Sequence, residues 1–254
     1  MKIREMLRDR LNREAVYTSR EYWDRKAAEH QGDATSMWPN NNLNYYYHRE
    51  QMDLMERFLP DLSGRCVLDL CCGTGRTSRF LAGRGAHVLG VDFSQKAIDI
   101  ARRMSTGENP SYRLQSIYEL DEPARFDLAV TWAATAMACK NREDLLNVLV
   151  RLRKALKPDG RVFLGEPIHR GFLHRVLNLS AQEYCGAMRQ AGFDLQRVHH
   201  LHFWPTRLLL AYIPWPKPVT AAGFYLGRGI MALCANRMFG DYQVYLARVQ
   251  MVSG

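Results

Sequence analysis

Apolar and polar positions along this chain follow two periods. From Gly64 onward, short apolar runs near 66–70, 87–91, 111–115, 126–131 and 161–165 alternate with segments of helical period near 76–83, 94–104, 142–156 and 180–191. Strand alternating with helix predicts an α/β doubly wound, mostly parallel sheet, whose right-handed crossovers bring the C-terminal ends of the strands to one edge. Before this core, Ile3, Met6, Leu7, Leu11 and Ala15 recur at helical spacing, which predicts an amphipathic helix over Lys2–Val16. Thr18-Ser19-Arg20-Glu21 offers a capping box for a second helix carrying Tyr22, Trp23 and Ala27. After the core, a strand is expected near 194–203, then an apolar, proline-punctuated stretch over 204–240, and a last alternating strand in Asp241–Arg248.

The densest chemistry lies in Val67-Leu68-Asp69-Leu70-Cys71-Cys72-Gly73-Thr74-Gly75-Arg76, a buried strand turning tightly into a helix. Gly73 and Gly75 let the backbone approach a ligand, and the helix that follows aims its free N–H groups at the same place. The next strand ends in Asp92, where an acid is placed to hydrogen-bond a ribose diol. A dinucleotide site needs a third glycine where this chain has Ser78, which weighs against a nicotinamide oxidoreductase.

That run, with Val91-Asp92-Phe93-Ser94, resembles motif I and the acidic strand end of the class I S-adenosylmethionine-dependent methyltransferases. Ala97–Arg102, Arg125–Val130 and Leu152–Arg161 match the family's following helix, fourth strand, and helix, turn and fifth strand in the same order. The resemblance covers roughly 64–168 and implies a seven-stranded Rossmann-like methyltransferase fold with an antiparallel last strand. It implies S-adenosyl-L-methionine as cofactor and S-adenosylhomocysteine as product, held by Asp69, Cys71, Gly73, Thr74, Gly75, Asp92 and Phe93. Trp132, at the end of the fourth strand, and Tyr47 join that set. The family's adenine-contacting Asp-Ala is replaced by Ser116-Ile117, which can still hydrogen-bond and pack on the ring. The chain divides on this reading into N-terminal helices and an aromatic lid (1–63), the cofactor-binding core (64–203), a substrate-covering insertion (204–240) and the last strand (241–254).

The lid expectation rests on Ser36–Arg49, turn-rich and dense in aromatics and amides, with Arg49 placed to pair with the cofactor carboxylate. For a general base, His169 lies just past the fifth strand with Glu166 to orient it; His174, His199, His200 and His202 are alternatives. Cys71 and Cys72 read as small packing residues. The fourth strand lacks the Asn/Asp-Pro-Pro-Tyr that grips a planar amine, and the acidic pair that holds magnesium against a catechol, so no metal is expected.

Charge and composition refine the acceptor. Residues 167–254 carry nine basic against three acidic side chains and five of the eight histidines, within a net charge of +9. An acidic or phosphorylated acceptor, an anionic membrane surface or a solvated basic face each fits this excess. The basic residues are scattered among Leu, Ala and Pro rather than set in a stripe, which argues against nucleic acid. Neither apolar run in 204–240 approaches the ~20 residues of a membrane span. The six cysteines read as reduced thiols, and without a secretory signal at the N-terminus the cytoplasm is the expected compartment. The expected reaction is methyl transfer to oxygen or carbon of a partly apolar small molecule, a secondary metabolite or lipid-like intermediate. The alternatives are a non-methylating cyclisation or rearrangement on the same cofactor, and a basic nucleic-acid-binding module. Nothing in the sequence sets the oligomeric state.

Overall fold

A computed structural model describes residues 8–29 and 38–250. Ile3, Met6 and Leu7 of the expected first helix, and Ser36 and Met37 of the expected lid, lie outside the described residues. The elements in order are α1 Arg13–Tyr17, α2 Arg20–Glu29, α3 Asn41–Phe58, β1 Cys66–Leu70, α4 Arg76–Ala82, β2 His87–Asp92, α5 Gln95–Met104, β3 Ser111–Leu114, β4 Phe126–Trp132, α6 Thr135–Ala138, α7 Arg142–Ala155, β5 Leu156–Glu166, α8 Ala181–Gln190, β6 Phe193–Phe203, α9 Trp204–Leu210, α10 Lys217–Leu233 and β7 Gly240–Val249. They build one seven-stranded sheet in the order β3-β2-β1-β4-β5-β7-β6. β1 to β5 run parallel, and β7 runs antiparallel to both β5 and β6.

Both faces of the sheet are covered, as parallel strands require. Because side chains alternate across a strand, Leu68, Leu70 and Ala129 face one layer while Val67, Leu128 and Val130 face the other. The first layer is filled by α7 through Leu145, Val148, Leu149 and Leu152, at the spacing of one helical face. Asn141 starts that helix by accepting from the amides of Glu143 and Asp144. A fully buried leucine such as Leu149 contributes enough that truncation to alanine costs about 2–5 kcal/mol. The opposite layer is filled by Leu54 and Met55 of α3 and Leu81 of α4.

Three expectations change. The segment read as an aromatic loop is, from Asn41 on, the 18-residue helix α3. Leu43, Tyr46, Tyr47, Gln51, Leu54 and Met55 form one buried face at helical spacing, and Asn40 caps it by accepting from the amides of Asn42 and Leu43. The expected fifth-strand start at 161 moves to Leu156, because the Lys157–Gly160 turn survives as a bulge: Phe126 pairs with Leu156 but Leu128 pairs with Arg161. The 204–240 stretch folds as α9 and α10, tied to α3 by the Asn40 side-chain amide, which donates to the Leu210 carbonyl (2.9 Å) and the Thr220 hydroxyl (3.2 Å).

Candidate active site

The C-terminal ends of β1, β2 and β4 border a cavity of about 390 Å³, whose lining includes Asp69, Cys71, Gly73, Thr74, Asp92, Phe93, Ser116, Ile117 and Trp132. β1 leaves the sheet through left-handed backbone at Cys71 (φ +58°), Gly73 (φ +54°) and Gly75 (φ +77°) before α4 begins. At Gly73 the space a side chain would take is open, so its backbone is free to meet a ligand. The Asp92 carboxylate accepts from the Gly73 amide on one oxygen and the Ser94 amide on the other, both at 2.9 Å. Each oxygen keeps a lone pair for a further donor. Burial raises the Asp92 carboxyl above its usual range, opposed by those amides. Burial pushes the Asp69 carboxyl up to about 7, against a hydrogen bond from the Ser78 hydroxyl (2.6 Å). Burial also drives the Cys71 and Cys72 thiols well above their ordinary values, which keeps them protonated. Among the described residues, no three His, Cys, Asp or Glu side chains are grouped to hold a metal ion.

The other end of the cavity is aromatic. Tyr47 of α3, Trp132 of β4, His202 of β6 and Tyr242 of β7 line it. The His202 ring lies flat on Tyr47, with centroids 3.8 Å apart and planes 4° from parallel. Trp132 stacks on Tyr242 at 5.3 Å. His202 Nδ1 stands 3.1 Å from Glu50 Oε2. A carboxylate on Nδ1 selects the tautomer with its proton there and leaves Nε2 as the basic nitrogen of a ring that lines the cavity. The residue is held at φ +61°, a left-handed conformation inside a strand of non-glycine residues. Left-handed backbone is also present at Cys71 and Ala133, which follow β1 and β4 and line the cavity too.

Several expected site residues stand elsewhere. Glu166 is wholly buried and saturated: it accepts from the Thr131 hydroxyl (2.7 Å) and the amides of Ala134, Thr135 and Ala136 (3.0–3.2 Å), which fastens the turn after β4. His169 does not line the cavity; its Nε2 contacts the Asp241 carbonyl (2.9 Å) and carboxylate (3.3 Å) instead. Asp241 holds that ring within an ionic cluster: against the upward push of burial, Arg207 keeps its carboxyl well below the usual range. Neither His169, expected as the base, nor Glu166, expected to orient it, lines the cavity. Arg49 is exposed on α3, away from the face that carries Tyr47, so it does not reach the cavity. Gly75 lies behind the wall, and a Cβ there would meet the Tyr112 hydroxyl at 2.3 Å. Nothing from 204–240 lines the cavity: α9 and α10 pack behind it through Leu210, Ala211 and Phe224, against Leu43, Tyr46 and Tyr47. The insertion therefore buttresses the wall rather than covering the opening.

The residues the sequence reading missed include Glu50, Gln51, Trp23, Met137 and Tyr242. His202 stood only among four alternatives to His169 for the base; its partner sits 152 residues earlier, on a helix read as loop.

Residues 67–160 match a family described as a methyltransferase domain. The ubiquinone biosynthesis O-methyltransferase of Xylella fastidiosa (strain 9a5c) is 33% identical over 186 residues, covering 62% of this chain and 72% of the relative. The protein of the same name from Dechloromonas aromatica (strain RCB) is 35% identical over 141 residues, and the match spans 54% of this chain and about half, 55%, of that relative. Among solved structures, the magnesium protoporphyrin IX methyltransferase of Synechocystis PCC 6803, crystallised with SAH, superposes with a TM-score of 0.63 at 16% identity, over 95% of this chain and 100% of the other.

Proposed function

The chain belongs to the class I S-adenosylmethionine-dependent methyltransferases, and from that premise we propose that it methylates a hydroxyl oxygen on a planar, partly apolar small molecule. The observation that carries this reading is His202, which lines the cavity beside Tyr47, Trp132 and Tyr242 and is backed by Glu50.

The residues present suit the cofactor. Asp92 keeps lone pairs for two ribose hydroxyls, Gly73 leaves open backbone, and Phe93 and Ile117 offer apolar faces for an adenine. When bound, the cofactor supplies an electrophilic methyl group on a sulfonium. An alcohol or phenol must lose its proton to become a good nucleophile, and His202 Nε2 takes that proton while Glu50 stabilises the resulting imidazolium. Tyr47, Trp132 and Tyr242, packed ring on ring, give a flat acceptor an apolar wall and exclude water from the reacting oxygen. The Tyr47 hydroxyl, pushed well up by burial, stays neutral and is no competing base. The O-methyltransferase names of the relatives point to the same atom.

The test is S-adenosylhomocysteine release with a panel of phenols and aliphatic alcohols, run on the wild type, His202→Gln and Glu50→Gln. His202→Gln is expected to lower kcat by about 10²–10⁴-fold with S-adenosylhomocysteine affinity unchanged. Turnover by His202→Gln within threefold of wild type on every accepted substrate removes the base from the scheme.

A further inference from the structure

Helix α10 is apolar on both sides. Its inner face buries Thr220, Phe224, Gly227 and Met231, and the contact is close: a Cβ on Gly227 would lie 2.6 Å from the Thr206 hydroxyl. A helix on the surface of a soluble domain carries polar residues opposite such a face. Here the opposite stripe is Val219, Ala222, Leu226, Gly229 and Leu233, with Val219 46%, Leu226 68% and Leu233 90% exposed. No described residue covers it.

The charge within this segment of the chain is one-sided. Residues 204–240 contain four cations, Arg207, Lys217, Arg228 and Arg237, and no acid. Arg207 is buried on Asp241 and the half-exposed Arg228 stands 3.6 Å from Glu50 of α3, while Lys217 and Arg237 are exposed. We propose that the outer face of α10 docks on an anionic lipid surface, with the helix in the plane of the interface, the Val219–Leu233 stripe in the acyl boundary and Lys217 and Arg237 among the headgroups. No described helix is long and apolar enough to cross a membrane, which fits an in-plane contact. A second copy of this chain is the poorer occupant, because self-association through this face brings like charges together. The inner face of α10 stacks Phe224 on Tyr46 of α3 at 5.2 Å, and α3 also carries Tyr47 and Glu50. The docked face thus lies one helix layer from the aromatic end of the cavity, a short path for an acceptor that partitions into lipid.

The experiment is co-sedimentation of the full chain with vesicles of phosphatidylcholine alone or mixed with phosphatidylglycerol, at low and high salt. Light scattering reports the oligomeric state, and S-adenosylhomocysteine titration reports the fold. The wild type is expected to bind the mixed vesicles at least about tenfold more tightly than the neutral ones, with salt weakening it by about fivefold for each cation engaged. Leu226→Glu/Leu233→Glu, at exposed positions, is expected to lose at least about tenfold in vesicle binding with cofactor affinity and melting temperature kept. Absent or composition-independent binding overturns the proposal, as does a double variant that binds like the wild type. A wild-type dimer that the double variant dissociates, without vesicle binding, overturns it in favour of a self-interface.

Discussion

Replacing Asp92 by alanine tests the cofactor end of the cavity most directly. In the folded protein its carboxylate is held by two backbone amides at 2.9 Å, one per oxygen, so it is pre-oriented and the ligand need not order it. Each oxygen has one remaining acceptor site, and a ribose diol supplies two donors. Hydrogen bonds to a charged group contribute roughly 1.5–3 kcal/mol each, giving about 3–6 kcal/mol for the pair. Water entering the space left by the carboxylate recovers part of this by solvating the freed Gly73 and Ser94 amides. A net loss of about 4 kcal/mol corresponds to roughly a thousandfold rise in Kd. Isothermal titration with S-adenosylhomocysteine reads that change, and a thermal melt confirms that Asp92→Ala is folded. Asp92→Asn, which keeps one acceptor oxygen, should fall between the two. The carboxyl is raised by burial, so wild-type affinity should weaken on acidification at a higher pH than an ordinary aspartate would give. An affinity loss of less than threefold in Asp92→Ala refutes the assignment of this strand end to the ribose.

Four further substitutions separate structural from ligand-facing roles. Asp69 titrates at about 7 in the folded protein against an ordinary value of 3.8, so its contribution to stability is present below about pH 4 and is lost as pH rises through 7; urea midpoints should show Asp69→Asn gaining on the wild type between pH 5 and 8, by at most about 4 kcal/mol, and a parallel pH dependence of both proteins counts against it. Glu166→Ala strips four buried donors of their acceptor and should cost about 3–5 kcal/mol of stability in urea unfolding, whereas His169→Ala should leave S-adenosylhomocysteine affinity and turnover within a few-fold of wild type. Gly165→Ala puts a methyl 2.2 Å from the Trp132 indole, so the acceptor KM should rise several-fold with cofactor affinity within twofold; equal losses in both would move Trp132 to the cofactor end.

What the sequence disclosed follows the range of the interactions involved. The strand ends at Asp69 and Asp92, and the turn between β1 and α4, are written in consecutive residues, because a parallel βαβ unit fixes them by local hydrophobic runs and glycine positions. The aromatic end is assembled from distant parts of the chain: Tyr47 and Glu50 from α3, Trp132 from β4, His202 from β6 and Tyr242 from β7. Its members meet only because β7 enters antiparallel between β5 and β6, which no short-range pattern announces. The misreading of α3 came from weighing composition above period. Three tyrosines and four asparagines over 40–47 suggest a loop by type, yet the spacing of Leu43, Tyr46, Tyr47, Leu54 and Met55 is helical, and Asn40 is spent on the cap. His169 was favoured as a histidine just past a strand, and the contact that draws its ring to Asp241, 72 residues later, is equally invisible to local pattern. Long-range packing also explains why 204–240 was expected over the cavity. Its inner face is consumed by α3, and the apolar residues left over face outward, where they require an occupant other than the acceptor. The cofactor end is thereby built from local sequence signals and the acceptor end from tertiary contacts, so exchanging residues on α3 or at the β6 end should alter acceptor choice while leaving cofactor binding intact.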